Sequence, residues 1–200
     1  THGNSLDGDG NGAYARILRP DGSFASIDLR LNSTGTGSQD WSDVSALKGG
    51  GFAVTWQGTQ TGDTDVYVQL FDANGGTIGS ELRVNTNTSG TQNAPRMTAL
   101  SDGGYFVTWQ DTSGIDGSGH SVHGQRFDAS GNAVGGNILL NSVTSGNQAA
   151  PEIATLKDGR IVATWYSANL AGGSSNDIAV RVFDATGTAI SSDIRVNTTV

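Results

Sequence analysis

Cysteine is absent from this chain, proline occurs three times, and glutamate and lysine only twice each, as Glu81 and Glu152 and as Lys48 and Lys157. Each scarcity excludes something. Without cysteine there is no disulfide scaffold and no thiol nucleophile. Helices draw on Glu, Lys, Ala and Leu, so a chain poor in Glu and Lys but rich in Thr, Val, Ser, Asn and Gly reads as all-β. Three prolines beside 30 glycines exclude collagen-like and proline-rich tracts and point to many tight turns. The arginines are scattered singly in a chain of net charge -8, so no basic stripe exists and nucleic acid is excluded as a partner. Such acidity suits calcium, neutral sugars or simple solubility. No apolar run approaches the ~18 residues of a membrane helix, so no membrane span is expected. No signal-peptide pattern opens the chain either, and any export is expected to be directed by residues outside it.

What the sequence has is repetition. The phrases GGGFAVTW (residues 49–56), DGGYFVTW (102–109) and DGRIVATW (158–165) end on Trp56, Trp109 and Trp165, spaced by 53 and then 56 residues. The turn glycines Gly22, Gly75, Gly131 and Gly187 keep the same steps, as do Asn32, Asn85, Asn141 and Asn197. Gln39, Gln92 and Gln148 each follow one of those asparagines by seven residues. Within a unit, strand a follows the Gln, strand b ends at the Trp, strand c ends at Phe-Asp and strand d ends at the Asn. The pieces are short, β-branched and aromatic, and are separated by Asx-Gly and Ser-Gly turns.

A four-stranded antiparallel unit at this period predicts a β-propeller-like array of about 3.5 blades of 53–56 residues. The units are a half repeat over 1–34 (strands c and d) and full repeats over 35–88, 89–144 and 145–200, forming one repeat domain. The fourteen strands counted this way do not close a ring. The expectation is a piece of a longer repeat protein, or self-association through an open blade edge. The equivalent tryptophans are core, and the Gln and Asn ladders are expected to satisfy buried backbone groups.

The pattern Q-x-x-P, D-G-G-(F/Y)-x-V-T-W, G-Q-R-F-D-A-x-G, V-N resembles repeats of large secreted or surface proteins of bacteria, often set beside hemolysin-type calcium-binding and cadherin-like segments. It runs through essentially the whole chain and is fullest in SDGGYFVTW and HGQRFDASGN of the unit over 89–144. The resemblance implies an extracellular or cell-surface location, calcium nearby, and roles in adhesion or as accessory modules of secreted enzymes.

Strand alternation places the b–c and d–a loops at one end, and these are the loops that vary. Variable loops on a regular scaffold carry binding, so this end is the expected functional face. Asp7, Asp9 and Asn11 there match the opening D-x-D-x-[DN]-G of a calcium loop, whose alternate oxygens converge on a hard cation. The closing acidic ligand is missing, since Leu18 stands in the twelfth place. Trp41, flanked by Asp40 and Asp43, replaces the alanines of the other units and could stack on a sugar ring; the competing reading is a cover over the diverged first unit. His120, on the same variable face, joins Trp41, Asp40 and Asp43 as a candidate ligand contact, while His120 and His123 lack a third His or Cys to complete a metal site.

Glu81 and Glu152 occupy non-equivalent places and form no obvious glycosidase pair. No nucleophile elbow is present. The sequence therefore predicts no enzyme, but an adhesion module that recognises a glycan or cell-surface partner, assisted by calcium. The alternative expectation is a spacer or assembly repeat.

Overall fold

A computed structural model describes residues 2–3, 10–168, 170 and 176–198. The first unit holds β1 (His2–Gly3), β2 (Asn11–Gly12), β3 (Tyr14–Ala15) and β4 (Leu29–Arg30). The first complete blade is β5 (Gln39–Ala46), β6 (Phe52–Gly58), β7 (Asp65–Phe71) and β8 (Thr77–Arg83). The second is β9 (Gln92–Ala99), β10 (Tyr105–Asp111), β11 (Ser121–Phe127) and β12 (Ala133–Leu139). The third is β13 (Gln148–Thr155), β14 (Ile161–Ala168), β15 (Asn176–Phe183) and β16 (Ile194–Arg195). Each complete blade is a four-stranded antiparallel meander in chain order, and the fold is all-β.

Turn chemistry sets the meander. After β7, Asp72 Oδ1 accepts the N–H groups of Asn74 and Gly76 while Gly75 takes φ 89°. Asp128 and Asp184 repeat that turn, and hydrogen bonds, first from the Asn132 and Thr186 side chains, hold both carboxyls below the usual carboxylate range.

The core lies between blades. Val66, Val68, Leu70 and Val84 of the first complete blade pack against Met97, Tyr105, Val107, Trp109 and Phe127 of the second. Leu100, Phe106, Val122 and Leu140 meet Ile161, Ala163 and Trp165 in the same manner. Trp56, Trp109 and Trp165 are fully buried, and their indole N–H groups have no hydrogen-bond partner among the described residues. The expected polar ladders tie strand d to strand a: Asn85 Oδ1 accepts the Val66 N–H, while its Nδ2 donates to Asp65, Gln92 and the Asn87 carbonyl.

The first unit departs from its expected two strands. Strand c is split into β2 and β3, and β1 pairs with β2 in the place where strand b ends in the other blades (His2 opposite Gly12, as Gly58 is opposite Asp65). Sixteen strand segments replace the expected fourteen among the described residues.

Candidate active site

The inner strands β5, β9 and β13 stand side by side, and their unpaired edges are satisfied across blades. The Met97 N–H donates to Asp43 Oδ2 (2.9 Å), the Ala99 N–H to Ser45 Oγ (3.1 Å) and the Thr155 N–H to Thr98 Oγ1 (3.2 Å). Near its start each inner strand carries the same β-bulge, where its register against strand b shifts. One residue of each bulge adopts a left-handed backbone: Trp41 (φ 52°), Ala94 (φ 50°) and Ala150 (φ 50°). None is a glycine, so each stores strain, as residues at functional sites often do. Glutamines of the preceding blade anchor two of these turns: Gln57 Oε1 accepts the Ala94 N–H and Gln110 Oε1 the Ala150 N–H.

Two residues beyond each bulge residue stand Asp43, Arg96 and Glu152, one register position in three successive inner strands. Asp43 Oδ1 also accepts the Val44 N–H (2.9 Å), so both carboxylate oxygens are oriented by backbone. Arg96 Nε donates to Glu152 Oε1 (2.8 Å), and the Glu152 side chain is 64% exposed. Two carboxylates, one fixed by backbone and one held by a guanidinium, thus share an inner rim. Such a set can hydrogen-bond sugar hydroxyls and exchange protons with a glycosidic oxygen and a water.

The residues singled out from the sequence divide between this rim and its surroundings. Asp40, Trp41 and Asp43 all lie on β5, and Trp41 is 61% exposed. Asn11 Nδ2 donates to Asp40 Oδ1 (3.0 Å), tying the first unit to the rim. Asp7 and Asp9 lie outside the described residues. His120 is set back in the loop before β11: its Nδ1 meets Gln110 Nε2 (3.3 Å), the same glutamine that holds Ala150. His123 is half-buried; its ring stacks on Trp109, and burial keeps its imidazole below the usual value. No group of three or more His, Asp or Glu suited to a metal occurs among the described residues. The rim is hidden in the sequence because its two carboxylates are an Asp and a Glu, and the chain's two glutamates, Glu81 and Glu152, occupy non-equivalent places. Glu81 instead ties blades together, accepting the Ser33 N–H (2.7 Å) and a Gln60 amide hydrogen (2.7 Å). Stepping from Asp43 by 53 and 56 residues, the repeat's own spacing, would have reached Arg96 and Glu152.

No protein-family model matches the sequence, and no curated protein is similar to it. Solved structures are similar in fold. An endo-arabinase from Bacteroides thetaiotaomicron superposes with a TM-score of 0.54 at 16% identity, over 88% of this chain and 68% of its own. An endo-1,4-β-xylanase of the same organism gives 0.54 at 11% identity, over 97% and 81%. A family 117 glycoside hydrolase from Zobellia galactanivorans gives 0.52 at 13%, over 94% and 61%. The fold is that of β-propeller glycoside hydrolases. For a thermostable family-43 glycoside hydrolase of the same fold, the chain spans 57% of the enzyme's length. These findings correct two expectations: solved structures of this architecture include enzymes named for acting on glycans, so the reading as a non-enzymatic adhesion module or spacer, and with it the absence of catalysis, does not stand. The inner strands bring Asp43 and Glu152, 109 residues apart in the chain, to one register position of the blades.

Proposed function

We propose that this chain carries the glycan-processing inner face of a β-propeller glycoside hydrolase, with Asp43 and Glu152 as its carboxylates. The observation behind this reading is their shared register on inner strands, with Arg96 on the strand between them. Hydrolysis of a glycosidic bond needs one carboxyl group to protonate the leaving oxygen and a second to activate water or attack the sugar. Glu152, exposed at the rim and placed by Arg96, suits proton delivery. Asp43, held by two N–H groups, suits the second role, because a base works best when its approach is fixed. Arg96 positions Glu152, and Trp41 offers an aromatic face to the sugar, with Asp40 beside it.

Release of reducing sugar from a panel led by arabinan and xylan tests the reading. The wild-type chain is expected to hydrolyse one member of the panel, and Asp43→Asn and Glu152→Gln are each expected to lower kcat by roughly 10²-fold or more while melting like wild type. Folded wild-type protein that releases nothing, or variants as active as wild type, would remove it.

We also propose that calcium is held at Asp7, Asp9 and Asn11, in an extracellular setting. What supports it is the ligand spacing, together with the Asn11–Asp40 bond that would link such a loop to the rim. Calcium at a hundred times its dissociation constant adds about 2.7 kcal/mol, so chelator should lower the Tm. An unchanged melt would dismiss the site.

A further inference from the structure

Between its register pairs Ala149–Tyr166 and Glu152–Thr164, the bulge of β13 consists of Ala150 and Pro151. Proline has no N–H, so the Ala150 N–H is the one backbone donor with which this bulge can be tied down. It donates to Gln110 Oε1 of the neighbouring blade (3.2 Å), and Ala150 takes φ 50° there. Bulges re-aim the side chains that follow them. The direction in which Glu152 leaves the strand therefore depends on where Gln110 holds this turn.

A backbone N–H can only donate, and that fixes the Gln110 amide: oxygen toward Ala150, NH2 toward His120, whose Nδ1 lies 3.3 Å away. Nδ1 must then accept, so in this arrangement His120 is neutral with its proton on Nε2. The His120 backbone is pinned to the third blade, its N–H donating to Asn147 Oδ1 (3.0 Å) and its carbonyl accepting the Gln148 N–H (2.9 Å). The ionisable groups around it are committed elsewhere. Asp116, in the same loop, accepts from Ser118 and Asn141, and Asp111, at the end of β10, accepts from Ser113 and Asn87. The His123 ring on β11 meets Ser121 Oγ (3.0 Å). No ion pair involves His120 among the described residues.

Protonation of His120 turns Nδ1 from acceptor to donor and sets it against the Gln110 NH2. The amide relieves that conflict by turning its oxygen to the imidazolium, and Ala150 then loses its acceptor. The preceding inner strand supplies a control. Gln57 Oε1 holds the Ala94 N–H (3.0 Å), ahead of Pro95 and Arg96, in the same manner. In the place of His120 stands Thr64, whose carbonyl accepts the Gln92 N–H (2.8 Å). A threonine does not titrate, so this bulge has the same tie and no sensitivity to acid.

We propose that Gln110 is a positioning residue for Glu152, and that protonation of His120 releases its hold and shifts Glu152 against Arg96. The consequence for catalysis rests on the glycoside hydrolase reading; the hold itself does not.

Nitrogen-15 NMR of the full chain between about pH 8 and pH 5, where an imidazole changes charge, tests it. In the wild type, the Ala150 amide and the Arg96 Nε–H should shift with the same midpoint as the His120 ring, while the Ala94 amide stays in place. His120→Gln cannot titrate and should abolish both shifts. An Ala150 or Arg96 signal that ignores pH, equal movement at Ala94, or shifts that persist in His120→Gln would overturn the proposal. On whichever glycan the wild type hydrolyses, kcat should fall by roughly tenfold or more on the acid side of that midpoint with KM unchanged, and His120→Gln should lose this limb. The same acid limb in both proteins would overturn the positioning role. A folded chain that hydrolyses nothing would sink the catalytic reading alone, and the resonances would still decide the proposal.

Discussion

At Ala150 the backbone sits at φ 50° with the methyl group exposed, so the position combines left-handed strain with no packing to lose. Left-handed geometry costs an L-residue roughly 1–2 kcal/mol, and glycine's extra freedom in the unfolded chain returns about half of that. Ala150→Gly should therefore stabilise the protein by about 0.5 kcal/mol, seen as a small rise in Tm. Trp41→Gly removes the same strain, but it also removes the aromatic face of the rim and so separates stability from the sugar contact proposed for it. Single residues show where the sequence could be read and where it could not. The tryptophans at 56, 109 and 165 announced themselves as core because one residue type recurs at one register. The rim did not, because Asp, Arg and Glu occupy its register position in turn, and an eye trained on identity passes over a position defined by side-chain role.

At the scale of elements, the passage from strand d to strand a depends on one asparagine per blade. Asn85 is buried and uses both ends of its amide: it accepts from Val66 and donates to Asp65, Gln92 and Asn87. Asn85→Leu keeps the volume but leaves those groups desolvated and unpaired, and should cost about 3 kcal/mol or more in urea unfolding. The same change at Asn197 should cost clearly less, because that corner is only half-buried and water can replace the lost partners. Such corners were legible as a fixed Asn-to-Gln spacing. The bulge at the head of each inner strand was not, since its residues are Trp41, Ala94 and Ala150, none of them the glycine that would signal a left-handed turn.

For the whole molecule, stability rests on interfaces between blades, and Tyr105 places a titratable group inside one of them. Burial pushes its phenol well above the ordinary tyrosine value, and its hydroxyl has no partner among the described residues. Above pH 10 the unfolded chain loses this proton while the folded one keeps it, so stability falls as pH rises, by up to about 1.4 kcal/mol per unit. Tyr67, raised chiefly by desolvation, acts in the same direction. Tyr105→Phe should match or exceed wild type at neutral pH and show a flatter loss of Tm between pH 10 and 11. The all-β blade architecture was legible from period and turn chemistry alone, because both are local. The rim was not, since it forms only when three blades stand side by side. One consequence of that arrangement is optical. Three of the four tryptophans are sealed between blades at 0–1% exposure, and the fourth, Trp41, is open at the rim. Collisional quenchers in solution therefore address a single indole, and emission from the native protein separates into a shielded majority and one accessible component at the rim. If the proposed sugar contact at Trp41 is right, the molecule carries its own fluorescent gauge of occupancy, with no label to attach.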